Sequence, residues 1–170
     1  GISDEFLRLF RIGFSLPGWR TLLDFLVRRG YSMAELETAG LVVRKTESIA
    51  ASEGESAAFL RGGSSGNLFG YDRFRDRITF PVFDISGRVI GFSARVLPGA
   101  SEESAKYINT PETPVYHKSN ALYGLFQAKR ALRDTREALF VEGNMDVIAM
   151  HQIGFSNTVA VSGTALTEEQ

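Results

Sequence analysis

Hydrophobic positions change period along the chain, and the changes mark out its organisation. Residues 3–40 repeat at helical spacing. Ser3 can cap a first helix over Asp4 to Phe10. Pro17-Gly18 opens a second, with Trp19, Leu22, Leu23, Leu26 and Val27 on one face and Gly30 as its stop. Ser32 and Glu35 have the spacing of a capping box, so a third short helix is expected to run to Gly40. Core packing accounts for these aromatic and leucine stripes. Thr46 to Gly70 then loses periodicity. Small residues, Ser, Gly and Glu dominate it, with Gly62-Gly63-Ser64-Ser65-Gly66 in the middle, as in a long loop or insertion.

From Arg77 the period is two. Ile78, Phe80 and Val82 alternate with Thr79, Pro81 and Phe83; Asp84-Ile85-Ser86-Gly87 reads as a turn, and Val89 to Arg95 as the return strand of a hairpin. Pro81 cannot donate to a ladder, so its strand is expected at an edge or beside a bulge. Pro98 to Ser104 reads as another loop. Asn120 can cap a helix from Ala121 to Leu132, with Leu122, Leu125, Phe126 and Leu132 on its apolar side. A strand over 138–142, a helix over 145–152, a turn at Gly154 and a strand over 157–161 complete a βαβ unit, with parallel strands and a right-handed crossover expected. No internal repeat is present.

Composition narrows the picture. A chain of 170 residues is one domain, or one domain and part of another. Its 44% hydrophobic fraction and 13 Phe suffice for a sizeable core. A net charge of −1 means that any basic surface is local. Zero Cys excludes a disulfide framework and a Cys-based zinc site. No apolar run approaches the roughly 20 residues of a membrane span, and Gly1-Ile2-Ser3-Asp4-Glu5 is no signal peptide, so an intracellular protein is expected, without membrane. The chain lacks an initial Met and ends on Glu168-Glu169-Gln170, which reads as a piece of a longer protein.

Two constellations carry candidate chemistry. Glu142-Gly143-Asn144-Met145-Asp146 follows the apolar run Ala138-Leu139-Phe140-Val141, expected as a buried strand. Ligands of open α/β sheets bind at the carboxyl ends of strands, where Glu142 would sit. Gly143 permits a sharp turn, and Asp146 falls on the first helical turn, where negative charge is favoured. Two neighbouring carboxylates suit a hard cation, Mg²⁺ or Mn²⁺. The plainer reading is a surface Glu and a helix-capping Asp. The second constellation is basic. Arg73, Arg75 and Arg77 alternate with Asp72, Phe74 and Asp76, and in an extended segment they would share one side. Arg95 ends the second hairpin strand. Lys106 and Lys118 follow among Tyr107, Asn109 and Tyr116. Cations interleaved with aromatics suit single-stranded nucleic acid. On composition alone, a solvated face with Asp72 and Asp76 as partners is the simpler account. His117 and His151 lack Cys or His at metal spacing, and residues 62–66 lack the Gly-Lys-Ser/Thr ending of a phosphate loop.

Several blocks, in order, resemble bacterial DNA primase of the DnaG type. They are Tyr71-Asp72-Arg73-Phe74-Arg75-Asp76-Arg77-Ile78-Thr79-Phe80-Pro81-Val82, Gly87 to Leu97, Lys106 to Thr113, His117-Lys118, Leu122-Tyr123-Gly124-Leu125, Val141 to Val147, Gly154-Phe155 and Gly163 to Thr167. Gly1 to Glu5 and Ile12 to Trp19 resemble the start of the same RNA-polymerase core. The resemblance spans nearly the whole chain except residues 46–70.

It implies an α+β fold: a basic N-terminal subdomain of the primase catalytic core over 1–132, running into the first βαβ of an α/β toprim domain over 133–170. It implies that Glu142 is the toprim glutamate, a metal ligand and candidate acid or base, and that Asp146 is the motif's second acid. Arg73, Arg75, Arg77, Arg95, Lys106, Asn109 and Lys118 would contact template, nucleotide phosphates or product. Asn144 stands where the family usually has Tyr, at a non-catalytic position. The family's Asp-x-Asp metal motif lies on a later strand. Its zinc-binding domain precedes this core, and its helicase-binding domain follows. The implied function is DNA-templated synthesis of short RNA primers by metal-dependent nucleotidyl transfer in the bacterial cytoplasm. Single-stranded DNA, ribonucleoside triphosphates, RNA primer and replicative helicase would be partners. This chain would be inactive alone. Two alternatives remain open: another toprim enzyme, a topoisomerase or nuclease, or a non-catalytic single-stranded DNA-binding module.

Overall fold

The computed structural model describes residues 1–44, 70–99 and 105–161. Of the loops expected over 46–70 and 98–104, residues 46–69 and 100–104 lie outside the described residues, as does the block Gly163 to Thr167. In chain order the elements are α1 (Asp4–Leu9), β1 (Gly13–Ser15), α2 (Thr21–Arg28), α3 (Met33–Thr38), β2 (Val42–Arg44), β3 (Gly70–Asp72), β4 (Arg77–Phe83) and β5 (Val89–Val96). They continue with β6 (Tyr107–Asn109), β7 (Leu122–Tyr123), α4 (Leu125–Thr135), β8 (Leu139–Val141), α5 (Asn144–Gln152) and β9 (Thr158–Val161).

The strands form three sheets: β1-β4-β5-β6, the pair β2-β3, and β7-β9-β8. The β4–β5 hairpin and the parallel β8–α5–β9 unit match the sequence expectation. Ser32 and Glu35 make both halves of the capping box that starts α3. Pro81 is accommodated as expected. β1 pairs with β4 only from Arg77 to Thr79, so at Pro81 the strand has lost one neighbour, and the register shifts between Val82 and Phe83.

Some expectations fail. Residues 3–40 are not all helical, because Gly13–Ser15 adds a strand to the hairpin. Val42–Arg44 and Gly70–Asp72 pair as a two-stranded sheet. The helix placed from Ala121 begins at Leu125 instead. Leu122 and Tyr123 pair with Val161 and Ala160 as a strand, and Gly124 makes the turn with φ +85°. A Cβ there would lie 2.7 Å from Val147 Cγ1, so glycine is required twice over. Trp19 precedes α2 and is 42% exposed rather than part of a core stripe. β8 is not a buried strand: Leu139 and Phe140 are exposed.

The main core joins two sheets. Phe10, Phe80, Val82, Tyr116, Tyr123, Val147, Ile148 and Ala160 pack together, all nearly or fully buried. Each large apolar side chain so placed contributes about 1.5–3 kcal/mol. A second core, Leu23, Met33, Leu36 and Val42, fixes α2 and α3 against β2. β7 precedes residue 133 and α4 runs across it, yet β7 sits in the sheet of β8 and β9. Among the described residues no helix is long and apolar enough to cross a membrane.

Candidate nucleic-acid interface and acidic edge

Arg73, Arg75 and Arg77 line one cleft of about 510 Å³, together with Val43, Tyr71, Asp76, Val96 and Ile108. Strand alternation is not the cause. Residues 73–76 bend between β3 and β4, and Asp76 takes φ +51°, a left-handed conformation unusual for a non-glycine. The reversal turns Arg77 back toward the cleft that Arg73 and Arg75 face.

The three guanidinium groups are held differently. Arg73 Nε donates to the Asn109 carbonyl at 3.0 Å. Arg77 is 9% exposed and donates to the Ala105 carbonyl at 2.8 Å. Burial lowers the pKa of both, and neighbouring Arg75 adds to the effect at Arg77. Arg75 lies over the Trp19 ring at 4.3 Å and the Tyr71 ring at 5.1 Å, and donates to the Asp72 carbonyl. A guanidinium stacked this way keeps its edge donors available to phosphate. Among the described residues, none of these arginines pairs with a carboxylate within 4 Å.

The expected partners, Asp72 and Asp76, therefore do not neutralise the arginines as ion pairs. Asp72 is buried and its carboxylate turns to α2, while Asp76 lines the cleft. Arg95 does not line this cleft: its guanidinium lies 5.7 Å from the centre of the Tyr107 ring opposite it on β6, out of phase with Val96 and Ile108, which do. Lys106 is exposed beside Tyr107, its carbonyl accepting from Val96 N–H. Asn109 contributes its main chain, through Arg73.

Lys118 does not line this cleft. Its N–H donates to Glu112 Oε1 at 2.9 Å, and His117 Nδ1 lies 3.2 Å from Glu112 Oε2. These contacts hold the Glu112 carboxyl below its usual range, the Lys118 N–H being the leading cause. The topology places this turn near the acids. Tyr123 and Val141 flank Ala160 on opposite sides, and β7 runs antiparallel to β9. A chain arriving at β7 from Lys118 thus enters at the carboxyl edge of β8 and β9, where Glu142 leaves β8.

Glu142 is exposed at that edge, and Asp146 is exposed on the first turn of α5. A Cβ on Gly143 would lie 3.2 Å from Asp146 Oδ2, so glycine leaves room for the second acid to fold back. No third acid or His joins them to make a metal cluster among the described residues. Two carboxylates fit part of a hard-cation site and leave it incomplete.

The comparisons decide the family. Residues 46–129 match the DNA primase catalytic core, N-terminal domain, and residues 136–170 match the toprim domain. The chain belongs to the bacterial DNA primase family. It is 42% identical to a DNA primase of Clostridium acetobutylicum over all of its length, which is 24% of that relative. The RNA polymerase domain of Mycobacterium tuberculosis primase DnaG, in complex with double-stranded DNA carrying a 6-nucleotide overhang, is 36% identical with a TM-score of 0.81. That match covers 99% of this chain and 46% of the other. A DnaG primase catalytic domain bound to single-stranded DNA is 38% identical with a TM-score of 0.73, over 99% of this chain and 45% of that one. The chain spans about a quarter of the length of the curated relatives it matches. The first family match begins at residue 46, so the likeness to primases extends through residues 46–70 as well.

Sequence reasoning missed Trp19 and Tyr71, which stack on Arg75, and the separate duties of Asp72 and Asp76. Trp19 follows Pro17-Gly18, and that turn signal could have removed it from the helix face.

Proposed function

We propose that this chain is the part of a DNA primase that holds the single-stranded template and nucleotide phosphates and supplies the first acids of the catalytic centre. The observation that carries this reading is the convergence of Arg73, Arg75 and Arg77 on one cleft, unpaired with any carboxylate of the described residues, with the exposed Trp19 ring stacked on Arg75. Arginines paired only to main-chain carbonyls keep their charge for a polyanion. Arg95, Lys106, Asn109 and Lys118 extend the surface along β5, β6 and the following turn toward Glu142. We place the subdomain boundary at 132/133, within the last turn of α4.

The reaction of the longer protein would be attack of a 3′-hydroxyl on the α-phosphate of a ribonucleoside triphosphate, with pyrophosphate leaving. Glu142 and Asp146 would hold Mg²⁺ or Mn²⁺, which when bound stabilises negative charge on the phosphates and lowers the pKa of the hydroxyl. Glu142, at the open strand end, would accept the hydroxyl proton. The basic residues keep template and triphosphate from diffusing away and orient them for in-line attack. Cytoplasmic location and the helicase partnership belong to the same proposal.

The test is single-stranded DNA binding by this chain across a salt series, with Lys106→Ala and Lys118→Ala beside the wild type. Salt-sensitive binding weakened by each change is expected. A wild-type chain that does not bind would overturn the template-surface reading. Glu142→Gln in the longer protein separates catalysis from a binding module: lost primer synthesis with retained DNA binding is expected, and undiminished synthesis would favour the module.

A further inference from the structure

One buried acid stands directly behind the arginine cleft. Asp72 is 1% exposed. Its Oδ2 accepts the Leu22 N–H at 2.7 Å and its Oδ1 the Leu23 N–H at 2.8 Å. These are orphan donors of the first turn of α2, whose own N-cap residue, Arg20, makes no side-chain cap. The capping carboxylate therefore comes from another strand, 50 positions along the chain.

The main chain of Asp72 is equally committed. Its N–H donates to the Trp19 carbonyl at 2.7 Å, its carbonyl accepts from the Arg75 guanidinium, and it stands opposite Val42 in the β2–β3 pair. Trp19 and Tyr71 meet edge to face at 5.6 Å, and Arg75 lies over both rings. Every part of this stack is thus tied to Asp72: Trp19 and Arg75 by hydrogen bonds, Tyr71 as its chain neighbour. Burying a carboxylate is unfavourable unless it is fully hydrogen-bonded. An apolar residue with a local cap on α2 would serve stability alone. At residue 72 the carboxylate holds the start of α2 while the main chain holds Trp19 and Arg75, so the acid anchors the helix start against the 73–77 bend.

We propose that Asp72 is a positioning residue for the cleft: it locks Trp19 against Arg75, so that the guanidinium meets nucleic acid already oriented. This rests on the reading of the cleft as a template surface. Orienting a long side chain before binding removes an ordering cost at the moment of association. A cap alone would raise thermal stability and leave affinity untouched.

Trp19 is the only Trp in the chain, so its fluorescence reports the stack without any ligand. The experiment is a double-mutant cycle of Asp72→Asn and Arg75→Gln in this chain. Its readouts are acrylamide quenching of Trp19 and affinity for an oligo-dT strand at low salt, taken where circular dichroism shows each variant folded. Asp72→Asn keeps the size of the residue and loses one acceptor and the charge. Each single change is expected to raise quenching and to weaken binding about 3- to 10-fold, the net scale of one hydrogen bond. The double variant should be no weaker than Arg75→Gln alone, because both act on one interaction. Unchanged quenching in Asp72→Asn, or losses that simply add, overturns the proposal.

Should Asp72→Asn not fold, Trp19→Leu leaves the cap bonds in place. It should lose as much affinity as Arg75→Gln, and Trp19→Phe should restore it. Wild-type affinity in Trp19→Leu overturns the proposal. Failure of the wild type to bind DNA sinks the template reading, whereas the quenching series still decides what Asp72 does in the free protein.

Discussion

Arg73, Arg75 and Arg77 share a cleft but not a role. Arg73 and Arg77 each give a donor to a carbonyl across the cleft wall, at 3.0 and 2.8 Å, so they brace the walls as well as charging them. Arg75 stacks on rings and keeps the most freedom at its edge. Replacing Arg75 with Lys keeps the charge and loses the planar fork, so affinity for single-stranded DNA is expected to fall while the salt slope stays near the wild-type value. Arg73→Gln removes a charge, and the slope of log K against log salt should shrink by about 0.7 if that arginine neutralises one phosphate. Binding isotherms at several salt concentrations test both. His151 offers a pH test elsewhere. It is buried, with Nε2 2.9 Å from the Thr158 carbonyl, and burial lowers its pKa below the ordinary 6.5. Below that value the unfolded chain takes up a proton that the folded chain resists. Stability is therefore full above about pH 6.5 and is lost as pH falls toward the folded pKa. His151→Gln should flatten the dependence of Tm on pH between 5 and 7. An unchanged slope would show that another group causes it.

At the scale of elements, turns decide more than propensity. The stretch Ala121 to Leu132 has helical periodicity, yet Leu122 and Tyr123 pair in a sheet because Gly124 reverses the chain beneath Val147. Gly124→Ala forces a side chain into the left-handed region, at a cost of about 1–3 kcal/mol from backbone strain, with the Val147 contact adding to it. Chemical denaturation should show that loss, and a variant as stable as the wild type would mean that β7 does not need this turn. The α3 capping box and the β4–β5 hairpin were legible because their signals are local: Ser32 and Glu35 are three residues apart, and the Asp84 carboxylate accepts from Ser86 and Arg88 within its own turn. β1, β2, β3 and β6 were not legible. Each has three residues, too few to show alternation, and each exists through a partner distant in sequence.

For the whole molecule, the described residues hold a basic cleft and a two-acid edge linked through β6 and the turn after it. The acids are too few for a metal pair. The 170-residue chain is expected to make no primer from template, ribonucleotides and Mg²⁺, and a product ladder on a sequencing gel would overturn that expectation. Adding the remainder of the polymerase core should restore synthesis.

The sequence by itself determined the family, the hairpin and the βαβ unit, and it nominated the acidic and basic candidates, because these are written in contiguous blocks with local periods. Tertiary structure alone decided that Trp19 leaves the core to stack on Arg75, and that Asp72 caps a helix instead of neutralising its neighbours. Those outcomes depend on backbone donors and ring faces brought together from some 50 residues away, and no local pattern of residue types encodes such a meeting.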